Sequence, residues 1–155
     1  MKRAGRALVV VVSFLAMGGI ARAGDALSHD ATVALIARTM AANTSVARQE
    51  RYASIKIDAC VMDYRVLGTF PVGTPYDIRF SGIDFASLNP RLSETGHDYT
   101  AFVILNFTAP AIYRINGTDT PIHSVVINTF DDASATVLFK AFVHLGELCG
   151  AKKLP

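Results

Sequence analysis

The sequence predicts an α+β fold: an N-terminal helix, a bent antiparallel sheet of five or six strands, and a C-terminal helix packed on the sheet. Three observations carry this expectation. Ala135, Leu138, Phe139, Phe142, Leu145 and Cys149 recur at steps of three and four, the stripe of an amphipathic helix. Between Ser54 and Phe130 the apolar residues recur at steps of two or gather in short runs, as strands do. The only two cysteines, Cys60 and Cys149, stand in the first strand region and the last helical turn, where one bond would tie sheet to helix.

The chain opens with Lys2, Arg3 and Arg6, continues with the apolar run Leu8 to Ile20, and reaches the small-x-small site Ala21-Arg22-Ala23. This is the pattern of a secretory signal peptide over residues 1–23, cleaved before Gly24. Its 13-residue apolar run is short for a hydrocarbon core, which takes about 20 helical residues to cross. No stable membrane insertion is therefore expected after cleavage, and the mature protein is expected to be periplasmic or secreted. Of the 15 Lys and Arg, Lys2, Arg3, Arg6 and Arg22 lie in this segment, so the charge turns from +2 to −2 on its removal. The remaining basic residues are scattered among acids, which argues against nucleic acid as a partner. An exported chain with an even cysteine count favours a Cys60–Cys149 disulfide over two free thiols.

The mature length suits one core, read as an N-terminal helical segment (24–52) and an antiparallel β domain with its C-terminal helix (53–155). Ser28 or Asp30 is expected to cap a first helix whose stripe is Val33, Ile36, Ala37, Met40 and Ala41, with Asn43 as its stop. That stripe is small, so the helix is expected to act as a peripheral brace. Thr44 to Arg51 reads as a linker or a further helical turn.

From Ser54 the period becomes two. Ile55, Ile57, Ala59 and Val61 share one parity, while Cys60, Met62, Tyr64 and Val66 share the other. A strand changes its buried face only through an extra residue or a bend, so a bulge is expected near Asp58 to Val61. Leu67 to Pro75 reads as a loop, and Tyr76, Ile78 and Phe80 as a strand broken by Gly82. Ile83 to Phe85 is expected to form a short strand or turn, and Arg91 to Asp98 a loop. Tyr99 to Phe107 is the most apolar strand and should lie centrally, with Pro110 ending the connection after it. Ile112 to Ile115 and Ile122 to Phe130 flank the turn dipeptide Asn116-Gly117, with Asp119 to Pro121 lengthening the connection. Asp131 or Asp132 is expected to cap the last helix and Gly150 to end it.

Chemistry is sparsely signalled. The chain has no Gly-rich phosphate loop, no G-x-S-x-G elbow and no H-E-x-x-H. His144 and Glu147 share a helical face, but two ligands beside Lys140 do not make a metal site. His29, His97 and His123 are tied to no nucleophile by spacing, and Asp58, Asp63, Asp77 and Asp84 alternate as solvent-facing strand residues do. Three Asn-x-Ser/Thr triplets, at Asn43, Asn106 and Asn116, are weak glycosylation signals. No catalytic residue, cofactor or metal is assigned.

The segments D-A-C-V-M-D-Y-R (Asp58 to Arg65), G-I-D-F-A-S-L-N-P (Gly82 to Pro90) and the run from Phe130 to Gly150 resemble small exported bacterial proteins of unassigned function. Their C-terminal part is similar to a pleckstrin-homology-like domain, over roughly residues 53–150 here. The resemblance implies a bent sheet closed at one end by the C-terminal helix. It implies no phosphoinositide ligand, because Leu67 to Pro75, the segment matching the family's binding loop, has no Lys or Arg.

The expected function is therefore non-catalytic binding of a protein or cell-envelope partner. One alternative is a carrier whose sheet and helix enclose an apolar ligand, lined by Phe80, Phe102, Phe107, Phe139 and Phe142. Another is a hydrolase whose residues assemble from separate strands. An exposed apolar patch or free strand edge favours the first, a cavity the second, and a histidine beside a carboxylate and a hydroxyl the third.

Overall fold

The computed structural model of the protein describes residues 27–45, 49–69 and 73–152, so the expected signal peptide lies outside the described residues. Helix α1 (His29–Ala42) starts where the Ala31 amide donates to Ser28 Oγ at 3.3 Å. It stops at Asn43, whose Nδ2 donates to Thr39 O at 2.7 Å. Thr32, Ile36 and Met40 are fully buried, and the last two join the main core. This corrects the expectation of a peripheral brace. Ile36 and Met40, one turn apart, are long enough to enter the core even though the rest of the stripe is small.

Among the described residues seven antiparallel strands follow: β1 (Thr44–Ser45), β2 (Glu50–Asp58), β3 (Val61–Gly68), β4 (Tyr76–Asp84), β5 (Glu94–His97), β6 (Ala101–Ile115) and β7 (Thr118–Thr129). β1 through β4 pair in chain order, and β4 then pairs with β6. β6 is the spine. β7 runs along one of its edges; on the other, β5 pairs with Ala101 to Ile104 and β4 with Ile112 to Arg114. The sheet therefore takes in Thr44, Ser45, Glu50 and Arg51, from the segment expected to be a linker or a further helical turn, and Glu94 to His97, from the expected loop Arg91 to Asp98.

The expected single strand through Ser54 to Val66 is two strands. Asp58 pairs with Val61, so Ala59 and Cys60 form a two-residue hairpin turn, with Ala59 at φ 51°. The change of parity comes from that turn, and the bulge lies instead between Ala53 and Lys56, where Ser54 has φ 51°. Tyr52, Ile57, Met62, Tyr64 and Val66 thereby reach the same face. Gly82 does not break β4. At φ 69° it forms a bulge opposite Asp63, whose Oδ1 accepts the Gly82 N–H at 2.8 Å. β6 also runs through Pro110, where its pairing with β7 is interrupted between Asn106 and Ala111, so no ladder hydrogen bond is required of the proline. Ile115 pairs with Thr118, making Asn116-Gly117 a minimal turn; Pro121 sits within β7 on the edge.

Helix α2 (Asp132–Leu148) is capped by Asp131, which accepts from the Ser134 amide at 2.7 Å. Gly150, at φ 82°, ends it: Gly150 N donates to Glu147 O and Ala151 N to Gly146 O, the paired bonds of a Schellman motif. Ala135, Leu138, Ala141, Phe142, Leu145 and Gly146 are buried. Phe142 stacks on Phe85, from the 3-10 turn Phe85–Ser87, at 5.6 Å between ring centres. The helix approaches this turn so closely that a Cβ on Gly146 would meet Leu88 Cδ2 at 2.8 Å. Cys60, in the hairpin turn, is bonded to Cys149, the C-cap of α2, with an S–S distance of 2.02 Å.

Candidate binding face

Both helices bury one side in the core and leave another side together on the surface. They lie antiparallel. At one end Asn43 Oδ1 accepts the Phe130 N–H at 2.8 Å, and at the other His144 Nε2 donates to Leu27 O at 2.8 Å. Because Ile36 and Met40 point inward, Leu35 is turned along the seam. In α2 the same argument turns Val137, Lys140 and His144 outward from the stripe of Leu138, Phe142 and Leu145. The result is a groove of about 380 Å³ lined by Leu27, Leu35, Val137, Lys140, Ala141 and His144.

Four of its six lining residues are apolar. Leu27 and Val137 are 47% and 42% exposed, so the groove holds apolar surface in contact with water. Its polar groups are basic or titratable: Lys140 is exposed, and the His144 ring lies 3.8 Å from Glu147. Sequence spacing placed Lys140, His144 and Glu147 on one outer face. It did not indicate that α1 would add Leu35, and the residue just before its cap, Leu27, beside them.

The structure leaves the histidines apart from one another. His97 Nδ1 lies 2.8 Å from Asp132 Oδ1 in a shallow cleft shared with Thr95 and Thr136. This brings together the residue types that a hydrolase needs. Both partners are well exposed, however, and among the described residues no hydroxyl hydrogen-bonds to the ring. The pair ties β5 to the first turn of α2. His123 Nδ1 is 3.2 Å from Phe107 O, and His29 Nε2 is 2.7 Å from Ala59 O.

The five phenylalanines do not surround one space. Phe142 and Phe107 are buried in contact with Phe85, which meets Phe107 edge-on at 6.1 Å. Phe80 belongs to a row that crosses four strands. It stacks on Tyr64 at 4.8 Å and meets Tyr113 at 5.4 Å, and Tyr64 in turn meets Tyr52 at 5.8 Å. Phe102 alternates with the fully buried Ala101 and Val103, so it lies on the other face of β6, over Gly96. Phe139 is half-buried against the core. These rings mostly fill space.

A polar seam that sequence reasoning missed joins β2 to β7. Tyr52 OH donates to Asn128 O at 2.9 Å, while Asn128 Nδ2 donates to Glu50 Oε2 at 2.8 Å and Tyr76 OH donates to Glu50 Oε1. Tyr64 OH is buried beside this seam, without a hydrogen-bond partner among the described residues. Burial, then the neighbouring Tyr52 and Glu50, raise its pKa well above the usual value of 10. No local motif marks such a seam, because its members come from β2, β3, β4 and β7.

Among the described residues no helix is long and apolar enough to cross a membrane. No family model matches the chain, and neither a curated protein nor a solved structure was found that is similar to it.

Proposed function

We propose that the protein is an extracytoplasmic, non-catalytic binding module that takes an acidic amphipathic helix of a partner protein in the groove between α1 and α2. The observation that carries this reading is the groove itself, apolar along its floor and cationic at Lys140. A guest helix would bury its apolar stripe on Leu27, Leu35, Val137 and Ala141 and place a carboxylate against Lys140, which has no ion-pair partner among the described residues. Export is supported by the signal-like first 23 residues and by the Cys60–Cys149 bond.

The test uses synthetic amphipathic helices with one apolar face and an acidic, neutral or basic polar face, titrated into the oxidised protein and followed by fluorescence anisotropy. The acidic peptide is expected to bind saturably and to lose about tenfold in affinity on Lys140→Glu. Val137→Asp is expected to abolish binding with the melting temperature kept. Equal binding of all three peptides, or binding indifferent to Val137→Asp, overturns the assignment.

A further inference from the structure

The disulfide stands beside a histidine. One ligand atom from each of His29, Cys60 and Cys149 lies within 4.8 Å of the others, and all three residues are half-buried. They come from three distant parts of the chain: the first residue of α1, the β2–β3 turn and the C-cap of α2. In the oxidised protein the sulfurs are bonded to each other and supply no thiolate. We propose that reduction converts this cluster into a binding site for a borderline-soft divalent cation of the zinc class, held by two thiolates and one imidazole.

Each ligand is positioned by bonds that do not involve the S–S link. Cys60 O accepts the Phe85 N–H at 2.9 Å, which fixes the hairpin turn. Cys149 N donates to Leu145 O at 2.9 Å, and the Gly150 and Ala151 amides close the helix behind it. The His29 ring is held to Ala59 O at 2.7 Å and faces Asp30 Oδ1 at 3.3 Å. When the disulfide opens, the turn, the helix end and the ring therefore stay near one another. Two sulfurs on one tetrahedral zinc stand about 3.8 Å apart, given Zn–S bonds of about 2.3 Å. The Cα separation of 5.8 Å accommodates that spacing through side-chain rotation.

The chemistry balances in two steps. A dithiol reductant gives two electrons and two protons to the S–S bond, leaving two thiols and a cyclic disulfide of the reductant. The divalent cation then displaces the two thiol protons into solution and binds both thiolates, keeping water in its fourth position. It also takes one His29 nitrogen, whose contact with Ala59 O or Asp30 Oδ1 breaks while the ring proton stays on the other nitrogen. Thiolate and imidazole together select zinc-class ions over magnesium or calcium, which prefer oxygen. Occupancy is thereby gated by the redox state of the compartment.

The full chain is reduced with dithiothreitol, freed of it anaerobically, and titrated with Co(II) as a spectroscopic substitute. The expected result is a sulfur-to-cobalt charge-transfer band that saturates at one equivalent, is displaced by Zn(II), and does not form in the oxidised protein. His29→Ala is expected to weaken Co(II) binding at least about tenfold. Far-UV circular dichroism follows the fold throughout, and Zn(II) is expected to raise the melting temperature of the reduced protein. The proposal is overturned by a folded reduced protein that gives no band, by unchanged affinity in His29→Ala, or by a reduced chain that remains unfolded at saturating Zn(II).

Discussion

Removing the Phe142 ring tests the packing of α2 most directly. The side chain is completely buried, stacked on Phe85, which itself meets Phe107 edge-on. A Phe→Ala change at such a site costs about 3 to 5 kcal/mol from lost transfer energy and the cavity left behind. Loss of the stacked pair accounts for about 0.5 to 1.5 kcal/mol within that range. The neighbourhood cannot readily collapse, because the helix is fastened at its C-cap by the disulfide and seated at Gly146 against Leu88. The upper part of the range, about 4 to 5 kcal/mol, is therefore expected for Phe142→Ala. For a domain whose total stability is about 5 to 15 kcal/mol, this is about a quarter or more of the whole. Urea denaturation of the oxidised protein, followed by far-UV circular dichroism, should show a lower midpoint with an unchanged m-value. Phe130→Ala is the control, since that ring is 66% exposed and its loss should change stability by no more than about 0.5 kcal/mol. If Phe142→Ala behaves like the control, α2 does not pack as described.

The remaining predictions concern the crosslink, the seam and the surface charges. The Cys60–Cys149 bond spans 89 residues, so reduction should cost at most about 4 to 5 kcal/mol by loop-closure entropy; metal-free melting that is identical with and without reductant rejects a structural role. Tyr64→Phe removes a buried hydroxyl that has no partner among the described residues and should stabilise by about 1 kcal/mol; a clear loss of stability would instead reveal a hydrogen bond at that oxygen. Asp77 is held below its usual carboxylate pKa by the Arg65 hydrogen bond, Asp119 by Arg114, and Asp131 by the Ser134 amide. A depressed folded-state pKa contributes stability that is complete above the unfolded value of 3.8 and lost as pH falls through the lower folded values. Melting temperature should therefore fall more steeply with acid below about pH 4 in the wild type than in a variant carrying Asp77→Asn and Asp119→Asn; superimposable acid profiles refute these pairings.

Much of the architecture was legible because it rests on short-range chemistry. The 3.6-residue period and the flanking Asp131 and Gly150 define α2 without reference to the rest of the chain. Ser28 and Asn43 do the same for α1. The alternation of Tyr76, Ile78 and Phe80 and the run Ala101 to Leu105 marked strands for the same reason. The misreadings lay where local patterns have two physical solutions. A change of parity near Cys60 is satisfied equally by a bulge or by a two-residue turn. Gly82 suits a chain break or a bulge, and Pro110 suits a loop or an unpaired stretch within a long strand. In each case the neighbouring strand made the choice, Asp63 accepting the Gly82 amide being the clearest example.

The candidate sites divide in the same way. An even cysteine count, read together with the expected export, was enough to anticipate the Cys60–Cys149 bond, since a pairing between the only two thiols is a property of the whole chain. The helical period was enough to put Lys140 and His144 on one outer face. Only the tertiary structure brought Leu27 and Leu35 alongside them, set His29 beside the two sulfurs, and gathered Glu50, Tyr52, Tyr64 and Asn128 at one seam. The physical reason is that periodicity reports which way a side chain faces along its own element. What it faces depends on contacts between residues tens of positions apart, and these are decided when the elements pack.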